Sequence, residues 1–170
     1  FVSAFDTLVE DRQITGKKSL LSRFLFRLDK QSGKRAKLIF VDTLAHAEYF
    51  HEAFGIPFSK MKRVFVGCDE SLFHPLPEKP ESLTVLYYCS YLPLHGVDVV
   101  VKAAELLKDN LSIKFKLIGD GIEFGRIQKY VQEKQLTNIE LAAPVPIDQL
   151  PSEIQNSLIC LGGHFGVRDR

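Results

Sequence analysis

Ile113-Lys114-Phe115-Lys116-Leu117-Ile118-Gly119-Asp120-Gly121 is the stretch on which the fold turns. Ile113 to Ile118 reads as a strand, and it ends in the glycine turn Gly119-Asp120-Gly121. Beyond it Phe124, Ile127 and Val131 recur at spacings of three and four, one face of a helix. Upstream, Thr84 to Cys89 is a strand rich in β-branched and aromatic residues. A loop from Ser90 to His95 leads to a helix with Val97, Val100, Val101, Ala104 and Leu107 on one stripe. Downstream, Ile139 to Ala142 is the next strand, Ile147 to Asn156 a short helix and Leu158 to Leu161 a last strand. Strands alternating with helices of this length predict βαβ units and a doubly wound, Rossmann-like parallel sheet of the α/β class. Ligands of such sheets bind beyond the carboxyl ends of the strands, so the loops after Cys89, Ile118, Ala142 and Leu161 are expected to line one mouth.

The pattern before this sheet predicts the end of a second Rossmann-like domain. Leu38 to Val41 is an apolar strand. Asp42 or Thr43 caps a helix carrying Ala47, Phe50 and Phe54, which Gly55 and Pro57 terminate, and Arg63 to Gly67 is a second strand. Periodicity then vanishes, and Pro75, Pro77 and Pro80 mark a semi-rigid linker. The expected division is residues 1–74 for the first domain, 75–80 for the linker and 81–170 for the second. Residues 11 to 37 hold nine basic side chains against two acidic ones. A basic amphipathic helix over 19–37 follows, with Leu20, Leu21, Phe24, Leu25 and Leu28 on one face and Arg23, Arg27, Lys30 and Lys34 on another. Such a face packs into its own domain with its charges solvated, or rests on an anionic membrane, where each basic side chain contributes about 1 kcal/mol.

Composition narrows the function classes. With 45% hydrophobic and 25% charged residues the 170-residue chain is ordinary globular material. Its net charge of +1 provides no field to attract nucleic acid. No apolar run approaches the roughly 18 to 20 residues that span a bilayer, and Phe1 to Asp6 lacks the basic and apolar regions of a signal peptide. A cytoplasmic protein is the expectation, with peripheral contact at the inner membrane face if the basic helix binds lipid. Cys68, Cys89 and Cys160 lie in or beside apolar runs at wide spacing and are expected to be buried free thiols, with neither a disulfide framework nor a metal site. The absence of Met at position 1 and a final strand running into a glycine loop read as a fragment cut at both ends.

Four loops carry the candidate chemistry. Ser90, His95 and Gly96 precede the Val97 helix, whose N-terminal N–H groups and partial positive charge suit phosphate; the same residues also serve as a turn and a cap. Gly119-Asp120-Gly121 nearly matches the dinucleotide fingerprint, but Phe124 occupies the slot of the third glycine, which comes one residue late as Gly125. A tight turn at positive φ, with Asp120 capping the next helix, explains these residues without a ligand. Pro144 and Val145 form a stiff surface for a flat base or simply a turn. Gly162 and Gly163 allow close approach to the backbone, with His164 presented at the mouth and Gly166 beyond it; alternatively His164 is a solvated loop residue. No GxSxG elbow, phosphate loop, HExxH helix or close cysteine pair is present. His46 and His51, five apart on one helix, are poorly spaced to share an ion.

Taken in order, these features resemble the retaining, nucleotide-sugar-dependent glycosyltransferases of the GT-B fold. The resemblance lies in Val66-Gly67-Cys68-Asp69 with Phe73-His74-Pro75, similar to that family's P-N-G-V-D then F-x-P; in His95-Gly96-Val97-Asp98, similar to K-G-V-D; in Leu117-Ile118-Gly119-Asp120-Gly121, similar to I-V-G-D-G; and in the strand running into Gly162-Gly163-His164-Phe165-Gly166. It implies two Rossmann-like domains, an acceptor-binding one ending near residue 74 and a donor-binding one beginning near 81. It also implies transfer of a sugar from a nucleotide-diphospho sugar to a glycan or lipid-linked acceptor, with no metal or other cofactor. The chain departs from that pattern where the family carries two cations for the diphosphate: Ser90 and His95 stand there. His164 stands near the first acid of the family's E-x7-E element. Two other readings remain open, a non-catalytic nucleotide-binding or assembly module of the same fold and half of a dinucleotide-dependent oxidoreductase.

Overall fold

Residues 3–12, 14–75, 80, 82–162 and 165 are described by a computed structural model. The chain divides into two compact units, Phe1–Cys68 and Asp69–Arg170.

In the first unit a π-helical segment, Asp6–Asp11, precedes α1 (Leu20–Arg35), β1 (Ile39–Val41), α2 (Leu44–Phe54) and β2 (Met61–Arg63). β1 and β2 pair in parallel, Ile39 opposite Met61. α2 starts where expected because the Thr43 hydroxyl accepts the His46 N–H at 3.1 Å, and it stops at Gly55, whose left-handed φ of 66° costs glycine nothing. Phe50, Phe54, Ile56, Ile39 and Val41 form its core. β2 lies earlier than the expected strand at 63–67. Its three residues match the short β1, pairing ends as the Val64 N–H reaches the Val41 carbonyl, and Val64, Phe65 and Val66 are exposed. The Arg63 guanidinium sits 4.5 Å from the centre of the Phe65 ring.

α1 corrects the expected apolar face. Of Leu20, Leu21, Phe24, Leu25 and Leu28, only Leu25 is buried; the buried side is Ser22, Leu25, Asp29 and Gly33. Small residues at 22 and 33 let the helix approach closely, and a Cβ on Gly33 would stand 2.3 Å from Ile56 Cδ1. The Asp29 carboxylate turns the same way. It accepts the Ser3 hydroxyl at 2.8 Å and the N–H groups of Ala4 and Phe5 at 3.2 and 2.8 Å, capping the first segment of the chain. Around the helix, the basic row Arg23, Arg27, Lys30 and Lys34 therefore lies between the buried side and an exposed apolar row of Leu20, Leu21, Phe24 and Leu28.

The second unit opens with a turn in which the Asp69 carboxylate accepts the Ser71 N–H and hydroxyl. His74 then offers its carbonyl to Gln155 at 3.0 Å, so the segment before the expected linker already belongs to this unit. Its sheet comprises β3 (Leu83–Cys89), β4 (Ile113–Gly119), β5 (Ile139–Ala142) and β6 (Ile159–Leu161), linked by α3 (Val97–Leu106), α4 (Phe124–Glu133) and α5 (Leu150–Gln155). All pairings are parallel, in the order β5-β4-β3-β6. Tyr87, Phe115 and Leu117 face α3 and α4 in one core with Val97, Val100, Val101, Ala104 and Ile127. Lys116 alternates to the other face and reaches Glu153 of α5 at 2.6 Å. This is the α/β, Rossmann-like parallel sheet that the pattern predicts.

The cysteines are free but not buried as expected: Cys68 and Cys160 are exposed and Cys89 is intermediate. Cys68 falls outside the short β2, and Cys160 lies on edge strand β6. Among the described residues no helix is long and apolar enough to cross a membrane.

Candidate functional site

Because every strand of the larger sheet runs the same way, the loops after Cys89, Gly119, Ala142 and Leu161 leave at one edge. The chain moves from β3 through β4 to β5 on one side of β3, then crosses by α5 to β6 on the other. The strand order thus reverses at β3, between β4 and β6, and that reversal is the switch point where parallel sheets leave a crevice.

The β3 loop is held by its aromatics. Tyr91, fully buried, adopts φ 39° and packs its ring edge-on to Phe124 at 5.4 Å, while its carbonyl accepts the Glu123 N–H at 3.0 Å. A 3₁₀ turn over Pro93–His95 follows. Gly96, buried at φ 63°, starts α3 with no side-chain cap, so neither Ser90 nor His95 caps that helix. Ser90 is exposed and His95 half-buried.

Gly119 and Gly121 have the positive φ that the expected tight turn calls for, and a second cause beside it. They lie at φ 144° and 152°, and an added Cβ would stand 1.9 Å from the Cys89 carbonyl oxygen and 2.1 Å from that of Ser90. The backbone that approaches them is the β3 loop. Asp120 accepts the N–H of its own neighbour Gly121 at 2.7 Å and does not cap α4, whose N-cap is Glu123. An aspartate three residues before a helix's cap is too early to reach its first N–H groups.

The β6 loop returns to the same place: the Phe165 N–H donates to the His95 carbonyl at 3.1 Å, and the Tyr87 hydroxyl donates to that oxygen at 2.7 Å. The Phe165 ring lies 5.7 Å from the Tyr87 ring. Ser90, His95, Gly96, Gly119, Asp120, Gly121 and Phe165 are therefore brought together. Pro144 and Val145 occupy the same sheet edge beyond β5, two strands from β3. Gly163, His164 and Gly166 lie outside the described residues. Tyr87 and Tyr91 were missed by sequence reasoning; an aromatic at each end of the strand-to-loop junction was the available signal. Burial pushes both tyrosine hydroxyls far above their ordinary range, so both remain donors, and it also raises the Cys89 thiol.

Elsewhere the histidines of α2 are engaged separately, His46 with the Asp42 carboxylate at 2.9 Å and His51 with the Ile56 carbonyl at 2.9 Å. Among the described residues no three His, Cys, Asp or Glu side chains gather where they would hold a metal ion.

The fold, an α/β arrangement with parallel Rossmann-like sheets, is that of the GT-B glycosyltransferases. Anabaena HepE, in complex with UDP and glucose, superposes with a TM-score of 0.70 at 15% identity over 82% of this chain and 41% of its own. S. aureus TarM, a variant in complex with fondaparinux, alpha-GlcNAc-glycerol and UDP, gives 0.69 at 14% identity over 85% and 29%. In sequence, an uncharacterized glycosyltransferase of Methanocaldococcus jannaschii is 34% identical over 67 residues, 39% of this chain. The chain spans 18% of that relative's length. No protein-family model matches the chain.

Proposed function

We propose that the intact protein is a glycosyltransferase that moves a sugar from a nucleotide-diphospho sugar to a glycan or lipid-linked acceptor. The observation that carries this is the meeting of the β3, β4 and β6 loops at the switch point of the larger sheet. It is supported by a fold shared with glycosyltransferases in complex with UDP. In this reading the N–H groups at the start of α3 and in the glycine loops face the diphosphate, with Ser90 and His95 as side-chain partners. Negative charge grows on the departing diphosphate as the sugar leaves, and fixed dipoles aimed at it stabilise that transition state without covalent chemistry. The donor is the substrate, and the reading calls for no further cofactor.

Calorimetric titration of the intact protein with UDP, GDP, ADP, CDP and dTDP is expected to give saturable binding with at least one of them. Absence of binding by all five would remove the proposal. Ser90 and His95 in place of two cations favour one rival, a nucleotide-binding module that has abandoned transfer. Sugar release from a donor panel by the intact protein separates the two.

The same reading places the protein in the cytoplasm with α1 against the inner membrane face, since its exposed apolar row adjoins a basic row. Intact protein is expected to sediment with vesicles containing phosphatidylserine at low salt and to be released by several hundred millimolar NaCl. Equal retention on neutral phosphatidylcholine vesicles, or none on either, contradicts that placement.

A further inference from the structure

The main-chain oxygen of His95 accepts two hydrogen bonds from two different parts of the chain. The Tyr87 hydroxyl on β3 reaches it at 2.7 Å and the Phe165 N–H of the β6 loop at 3.1 Å. A carbonyl has two lone pairs, so both are engaged. This one atom ties the strand, the turn that launches α3 and the loop across the switch point. We propose that Tyr87 is a positioning residue for the donor diphosphate: by holding the His95 carbonyl it sets the peptide that aims the start of α3, and it couples that start to the β6 loop.

The inference rests on the donor-site reading above. Three further observations support it. Tyr87 is 2% exposed and packed in the core, which fixes the ring that carries the hydroxyl. Burial keeps that hydroxyl protonated and so always a donor. Gly96, the next residue, sits at φ 63° and ψ 40°, so the peptide that Tyr87 grips leads directly into the left-handed step from which α3 begins. A rotation of that peptide would swing the first N–H groups of α3 away from any anion in front of them. Tyr87 itself, buried beneath the loop, acts on the phosphate only through His95.

The test compares affinities of the intact protein for the nucleoside diphosphate that it binds best, from the five named above, and for the matching monophosphate. Tyr87→Phe keeps the ring and removes the hydroxyl. It is expected to lower the ratio of diphosphate to monophosphate affinity about tenfold, whereas a merely structural role would weaken both ligands alike or neither. Tyr130→Phe, which removes a tyrosine hydroxyl bonded to Glu105 near the C-terminal end of α3, leaves the ratio unchanged. If Tyr87→Phe does not fold, Phe165→Pro withdraws the other donor from the same oxygen and must move the ratio the same way. A ratio within twofold of wild type in a folded variant overturns the clamp alone. A wild-type protein that binds none of the diphosphates overturns the clamp together with the donor site.

Discussion

Gly119→Ala is expected to destabilise the second unit by about 3 kcal/mol or more and to abolish measurable donor binding. The added methyl would stand 1.9 Å from the Cys89 carbonyl oxygen and near the Tyr91 ring, at φ 144° where residues with a Cβ are strained by about 1 to 3 kcal/mol even in open space. Neither obstacle is a flexible side-chain tip. The clash is with the backbone of the β3 loop, so relief requires that loop to lift from β4 and to carry Ser90 and His95 with it. Gly121→Ala meets the Ser90 carbonyl at 2.1 Å and is expected to behave alike. Gly125→Ala makes the contrast: it lies in α4 with nothing within 4 Å of a new Cβ, and alanine there should stabilise by about 0.5 to 1 kcal/mol. Thermal melts of the three variants decide the matter. A Gly119 variant melting within 2 to 3 degrees of wild type would show that the loops are not packed as described, since about 3 kcal/mol corresponds to more than 10 degrees in a domain of this size.

Asp29→Ala has the second largest expected effect, a loss of about 3 kcal/mol confined to the first unit. The carboxylate is 4% exposed and is the shared acceptor for a hydroxyl and two main-chain N–H groups. Its removal strands three donors, each costing about 1 to 3 kcal/mol where water does not replace the carboxylate. The total is held near the low end because the Ala4 and Phe5 N–H groups are only part-buried. Asp29→Asn keeps the shape but turns an N–H₂ toward one donor, and is expected to lose roughly half as much. Urea unfolding followed by tyrosine fluorescence measures both. Equal stability of the alanine variant and wild type would mean that the 3–11 segment is not anchored through α1.

Strand and helix order in the second unit was legible because each element repeats its own period. Val97, Val100, Val101 and Ala104 sit on one helical stripe whatever surrounds them, and β5 falls on Ile139–Ala142 as expected. Caps were legible for a similar reason: Thr43 and Gly55 act on N–H groups and dihedral angles within four residues. The burial of α1 was not. Its most apolar row is exposed, and its buried side is chosen by Ser22 and Gly33, whose small size permits close approach, and by Asp29, whose partners lie 24 to 26 residues away.

At the candidate site the division is similar. Composition and spacing alone determined that strands alternate with helices, that glycines stand at the strand-to-helix turns, and that Ser90 and His95 occupy the loop before α3. Only the tertiary structure decided what those glycines are for, since the carbonyls of Cys89 and Ser90 that exclude a side chain at 119 and 121 arrive from a strand about thirty residues earlier. It also decided that Tyr87 and Phe165 meet at His95. Hydrogen bonds and steric contacts act over a few ångströms in space, and parallel strands bring together residues whose separation along the chain encodes nothing about their distance.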